Sequence, residues 1–229
     1  AHTLTWPVGT QPALAVWRSL FFKPTPFVAD SRQSPEWNRG AYLVQGLGHC
    51  AACHTPRNAL GGLKDELHLS GATIPVLNWF APALNSHPIH GLGKWSESDL
   101  AQYLQSGVNK HAATYGPMSE VIAHSMQFAN NTDTQAMAVY LKSLPASTPS
   151  EKESTGLGER TLQPLMIQGK AIYTDSCVEC HGQQGEGKTG QFPALAGNAN
   201  VIAPNPTNPI RMVLNGGYSP STAAVPYPH

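Results

Sequence analysis

The sequence predicts an all-α chain of two tandem, loop-rich helical units, the second of them incomplete. Three observations carry this. The five-residue pattern C-x-x-C-H occurs twice, at Cys50–His54 and Cys177–His181, 127 positions apart. Helix-period apolar segments with start and stop signals surround both pentads in the same order, which is how an internal repeat shows itself. Finally, 21 Gly and 20 Pro against 12% charged residues leave long stretches that regular structure cannot occupy.

Residues 1–30 read as an aromatic connector or strap. Pro7, Pro12, Pro24 and Pro26 punctuate it, Trp6, Trp17, Phe21, Phe22 and Phe27 load it, and Ala13–Phe22 fits one short helix. The first unit spans 31–146. Ser34-Pro35 is an N-cap followed by proline in the first turn, and the helix it opens is expected to run to about Gly46. Gly40 inside that helix costs about 1 kcal/mol against Ala, which a close helix–helix crossing would explain. Pro56 to Ile89 reads as mostly loop. Ser96-Glu97-Ser98-Asp99 is a capping-box start for a helix that stops at Gly107. Met118 follows in a loop, a helix is expected over 119–128, and Thr132-Asp133-Thr134-Gln135 opens a last helix ended by Pro145.

Residues 147–160 read as a polar linker, and the order then repeats in a second unit over 161–229. A helix at 163–174 carries Gly169 and Tyr173, Cys177–His181 follows, and then comes a loop with Gly182, Gly185, Gly187 and Gly190. Phe192-Pro193-Ala194-Leu195 matches Ala81-Pro82-Ala83-Leu84, and a helix over 208–215 ends at Gly216-Gly217. Read against the first unit, the second stops before its own late Met and last helix, so those are expected beyond residue 229.

The chemistry lies in the pentads. Two thiols at that spacing can add to the two vinyl groups of one porphyrin, and the next residue, His, is then held under the iron. A redox dithiol or half a zinc site would not explain why His follows both pairs. All four cysteines are consumed: Cys50 and Cys53 for one c-type haem, Cys177 and Cys180 for another. His54 and His181 are the expected proximal ligands. Pro82 and Pro193 are expected beside them, each offering a backbone carbonyl to the imidazole's other N–H.

Met118 is the candidate sixth ligand of the first haem, since a thioether opposite His suits electron transfer. Met126 and Met137 have helical spacing and read as core. Bis-His ligation through His87, His90, His111 or His124 is the alternative. For the second haem, Met212 and His229 are outsiders to a Met beyond the chain's last residue. No residue suggests a general base or nucleophile.

Bulk properties exclude other classes. Fourteen Lys+Arg balance fourteen Asp+Glu, so there is no basic footprint for nucleic acid. No apolar run approaches the roughly 20 residues that span a bilayer. The N-terminus lacks a charged and then apolar leader pattern. Because such haems are attached outside the cytoplasm, a mature exported chain is expected.

The pattern of early C-x-x-C-H, late Met and crossing terminal helices resembles class I cytochrome c. More closely, Arg39-Gly40-Ala41-Tyr42-Leu43-Val44, Gly48-His49-Cys50 through His54-Thr55-Pro56-Arg57-Asn58, and Gly116-Pro117-Met118-Ser119-Glu120-Val121 resemble the multihaem cytochrome subunit of bacterial membrane-bound dehydrogenases of the alcohol, aldehyde, gluconate and sorbitol type. Tyr140–Pro145 and Phe192–Asn198 fit as well. The resemblance implies three haem domains in the family, of which this chain would hold the second and third, with residues 1–30 joining the first to the second. It implies periplasmic electron transfer from a quinoprotein, flavin or molybdenum dehydrogenase subunit to ubiquinone or another carrier, with peripheral membrane attachment through the complex. The rivals are a dihaem enzyme with one open haem, of peroxidase or thiosulfate-oxidising type, and a free-standing dihaem shuttle.

Overall fold

The Ser34 hydroxyl accepts from the Trp37 amide at 3.0 Å, and Pro35 presets the first turn of helix α2 (Pro35–Tyr42), which follows α1 (Gln11–Phe21). The computed structural model describes residues 6–7, 9–147, 159–188, 191–203, 205–217 and 219–225. Most of the linker expected at 147–160 lies outside the described residues, as do Gly190 and His229. Instead of running on as α-helix to Gly46, the chain widens into a π-helical stretch, Leu43–Leu47. The repeats differ here in length: Gly40 precedes Cys50 by ten positions, whereas Gly169 precedes Cys177 by eight, and α7 (Glu159–Ser176) runs up to Ser176.

The remaining helices of the first unit are α3 (Ala51–His54), α4 (Glu97–Ser106), α5 (Pro117–His124) and α6 (Asn131–Ser143). The capping box at Ser96 forms, and α4 ends at left-handed Gly107. α6 starts at Asn131 rather than from Thr132, because the Asn130 side chain accepts the Asp133 amide at 2.7 Å. α5 begins at Pro117, so Met118 stands in the first turn of a helix and not in a loop. The helix expected to 128 stops at His124; Ser125 breaks it (φ −141°, ψ −67°), and Met126–Phe128 form a separate 3-10 turn.

α2 and α6 cross at Gly40. A Cβ there would overlap the Ala136 carbonyl, so the two backbones touch. Around the crossing, Arg39 grips Asp133 through two bonds of 2.7 and 2.9 Å, and Trp37 stands edge-on to Tyr140 while donating to Ser143 Oγ at 2.6 Å. The core beneath joins Leu43 and Val44 to Leu100 and Leu104 of α4 and to Met137 and Leu141 of α6.

Two features of the expected loop and strap are more ordered than the sequence suggested. Strands β1 (Ala72–Ile74) and β2 (Trp79–Ala81) pair antiparallel, with Thr73 opposite Phe80. Three-residue strands are too short for alternation to show in sequence. α1 starts at Gln11, capped by Thr10, and lies over the loop of the first unit: Trp17 Nε1 donates to the Leu60 carbonyl at 2.8 Å, and the Phe21 ring covers Gly62.

The second unit holds α7 (Glu159–Ser176), α8 (Val178–His181) and α9 (Thr207–Asn215). Among the described residues nothing plays the part of α6 for it. No atom outside its own helix would meet a Cβ on Gly169, and Leu165, Met166, Ile167 and Ile172 stay exposed. The all-α reading stands, with one small hairpin added. Among the described residues no helix is long and apolar enough to cross a membrane.

One stability prediction arises at α4. Asp99 Oδ2 accepts from the Ser96 amide (3.1 Å) and sits 3.1 Å from Lys110 Nζ and 3.2 Å from His111 Nε2. Burial pushes the Asp99 carboxyl up, but the Ser96 bonds, Lys110 and His111 outweigh it and hold it well below the usual carboxylate range. A depressed pKa contributes stability that is full above that range and is lost as pH falls through the folded value. Asp99→Asn should therefore cost about 1 kcal/mol at neutral pH, the ordinary worth of a helix cap. The difference from wild type in urea melts should close at strongly acid pH.

Candidate functional site

Each pentad is one helical turn. The His54 amide donates to the Cys50 carbonyl at 3.0 Å, and the His181 amide to the Cys177 carbonyl at 2.9 Å. The turn brings the two thiols of each pair to one side and starts the imidazole at its end. His54 Nδ1 then lies 2.6 Å from the Pro82 carbonyl, and His181 Nδ1 lies 3.0 Å from the Pro193 carbonyl. A carbonyl can only accept, so both Nδ1 atoms donate, and Nε2 is in each ring the nitrogen left to face a metal. Burial pushes the His54 pKa down against the upward pull of Pro82, which keeps its imidazole neutral.

A second device recurs in both units and was not legible beforehand. The Gly71 amide donates to the His54 carbonyl at 2.9 Å, and the Gly187 amide to the His181 carbonyl at 2.7 Å. Both glycines have left-handed φ (90° and 72°), and both press against the proline segment. A Cβ would stand 2.9 Å from the Ala83 amide nitrogen in one unit and 2.6 Å from the Ala194 amide nitrogen in the other. Each glycine thus clamps the proline carbonyl under its histidine, although Gly71 lies 17 positions after His54 and Gly187 only six after His181. The unequal loops hid the equivalence.

In the first unit, Cys50, Cys53 and His54 open onto a deep, mainly apolar cavity. Phe80, Leu100, Leu104 and Leu141 wall it, and Trp95 and Tyr103 meet edge-on at its side, 5.0 Å between ring centres. Burial lifts the Tyr103 hydroxyl well above the usual phenol range, and lifts Tyr115 to about 12. These groups stay neutral in an apolar cavity.

Met118 lines this cavity, and so does Val121 one turn later, while the next residue, Ile122, is fully buried in the core and anchors α5. Met126 and Met137, read as core from their spacing, also reach the cavity wall. Of the four histidines weighed as alternatives, His90 lines it. His87 stacks on His90 (ring centres 5.0 Å apart), His111 stacks on Trp95 (5.2 Å), and His124 is exposed on α5. In the second unit the Met212 side chain folds back against Gly217.

The residues fit a c-type haem. Two thiols one turn apart, a neutral oriented imidazole, a thioether and a mainly apolar cavity are the donor set and lining that group needs. Burial lifts the Cys50 thiol to about 11, so it is no activated redox nucleophile. Among the described residues, no three His, Cys, Asp or Glu converge as a metal cluster of the zinc type would need.

Comparison with known proteins gives an independent view. The cytochrome c family model matches residues 166–228. The chain is similar to the cytochrome c subunit of a quinone-dependent alcohol dehydrogenase from Gluconobacter oxydans (strain 621H), with 39% identity over 241 residues, covering 99% of this chain and 49% of that protein. It is 37% identical over 236 residues to the gluconate 2-dehydrogenase cytochrome c subunit of Pantoea cypripedii, covering 97% of this chain and 53% of the relative. Against the fructose dehydrogenase cytochrome subunit of Gluconobacter japonicus the identity is 35% over 232 residues, with 93% and 47% covered. The chain spans about half the length of the curated relatives it matches.

Proposed function

This chain carries a cytochrome c domain and is homologous along most of its length to cytochrome c subunits of alcohol, gluconate and fructose dehydrogenases, and from that premise we propose that it is a two-haem electron-transfer subunit. It takes electrons from a dehydrogenase subunit of quinoprotein, flavin or molybdenum type and hands them on toward ubiquinone or another carrier, on the periplasmic side of the membrane to which the complex attaches. Held by Cys50, Cys53 and His54, and again by Cys177, Cys180 and His181, c-type haem supplies a reversible one-electron centre. The protein's part is to hold and insulate. Pro82 and Pro193 fix the imidazoles, Met118 offers a soft sixth ligand, and the apolar wall keeps water from the first site.

The observation that supports this reading best is the repeat of one local scaffold, Cys-pair turn, histidine and proline carbonyl, in both halves of the chain. The test is a haem count on the exported holoprotein by intact mass and reduced absorption spectrum. Two covalent haems are expected, falling to one in Cys50→Ser/Cys53→Ser and likewise in Cys177→Ser/Cys180→Ser. A chain without covalent haem would overturn the proposal. Rapid cyanide or CO binding by the full-length native protein would favour the open-haem enzyme instead, and purification without a large partner subunit would favour a free shuttle.

A further inference from the structure

Asn208 belongs to α9 of the second unit, yet its side chain completes the hairpin of the first. Its Oδ1 accepts from the Phe80 amide at 2.9 Å and its Nδ2 donates to the Phe80 carbonyl at 2.7 Å, so one carboxamide satisfies both main-chain groups of that residue. Phe80 is therefore a non-hydrogen-bonded position of the β1–β2 ladder whose backbone faces outward, and Asn208 replaces the missing strand. The pair is sealed from water: Asn208 is 3% exposed and Phe80 4%. Beside it, Arg211 Nη1 donates to the Leu77 and Asn78 carbonyls at 2.9 and 3.1 Å, with its guanidinium 4.6 Å over the Trp79 ring.

The surface so joined is not a remote one. Trp79, Phe80 and Tyr115 line the same cavity as Cys53 and His54, and Asn198, Asn200 and Asn208 form part of its wall from the other unit. The cavity is thus built by both halves of the chain.

We infer that residues 198–200 and helix α9 of the second unit form the closing wall of the first haem's cavity, with Asn208 as its positioning residue. The second unit then sets how much water and polarity the first haem meets, and the two sites are held in one relative arrangement. The inference rests on the haem reading given above. Physically it follows from burial: a wet site favours the more highly charged oxidised iron, and a dry one favours the reduced form.

The experiment uses the full-length holoprotein carrying Asn208→Leu, with Val213→Ala as a control on an exposed position of the same helix. Hydrogen exchange at the Phe80 amide is expected to speed up by about tenfold or more, since both bonds to its backbone are lost. In a potentiometric titration, the transition belonging to the first haem, identified as the one that Met118→Ala displaces, is expected to move to lower potential. The control should leave both readings alone. If Asn208→Leu does not accumulate, Arg211→Gln tests the same wall by the same two readings. Unchanged exchange and potential would overturn the inference. Faster exchange with an unmoved potential would also overturn it, because Asn208 would then be a structural clamp only. A chain lacking haem on Cys50 and Cys53 fails the underlying reading instead, and its mass shows that before any variant is compared.

Discussion

Met118→Ala is expected to lower the midpoint potential of the first haem by a sizeable part of the roughly 0.8 V over which axial ligands tune haem iron. A thioether is a soft ligand that favours the reduced iron, and its loss leaves water or nothing in its place. The position suits the role. Pro117 presets the backbone at the start of α5, Met118 and Val121 face the cavity from successive turns, and buried Ile122 ties the helix to the core. Met126 reaches the same wall, so Met126→Ala is the necessary companion. It should leave the potential nearly unchanged and cost about 2–5 kcal/mol or less of stability, as a partly buried Met truncation does. Reduced Met118→Ala protein should also bind CO where wild type does not. If Met126→Ala produces the redox effect and Met118→Ala does not, the ligand is Met126.

Gly40→Ala is expected to be the most damaging single-methyl change in the first unit, at about 3 kcal/mol or more by denaturant melts. The added Cβ would overlap the Ala136 carbonyl and stand 2.9 Å from the Tyr140 Cβ, and a backbone carbonyl inside a packed helix cannot turn aside. α2 and α6 must part, which strains the Arg39–Asp133 fork and the Trp37–Tyr140 contact together. Alanine's better helix propensity returns only about 1 kcal/mol. Gly169→Ala is the counter-experiment: with nothing near its Cβ, it should stabilise by about 0.5–1 kcal/mol. Loss of stability there would mean that α7 is crossed by a helix in the native assembly.

Much of the local structure was legible in the sequence. The Ser34 and Ser96 caps and the Gly107 stop work through hydrogen bonds that reach no more than four residues, so their signals sit next to the helices they bound. Other features lie beyond such reach. The Thr73–Phe80 hairpin is too short to announce itself, and Asn130 outcompetes the nearby Thr132 as a cap only once its side chain finds the Asp133 amide. The glycine clamps share no common spacing in the sequence, because loops of different length separate them from their histidines. Met126 looked like core by spacing alone, since a helix face does not say whether it meets side chains or a cofactor cavity.

The sequence by itself determined the pattern: two C-x-x-C-H pentads place four thiols and two imidazoles at the spacing a c-type haem takes, because that spacing is set by neighbours in the chain. Only the tertiary structure decided what surrounds that pattern. Asn208 and Phe80 are 128 positions apart, and no local pattern encodes their pairing. It exists because a buried hairpin edge must find partners for its backbone, and the second unit supplies them.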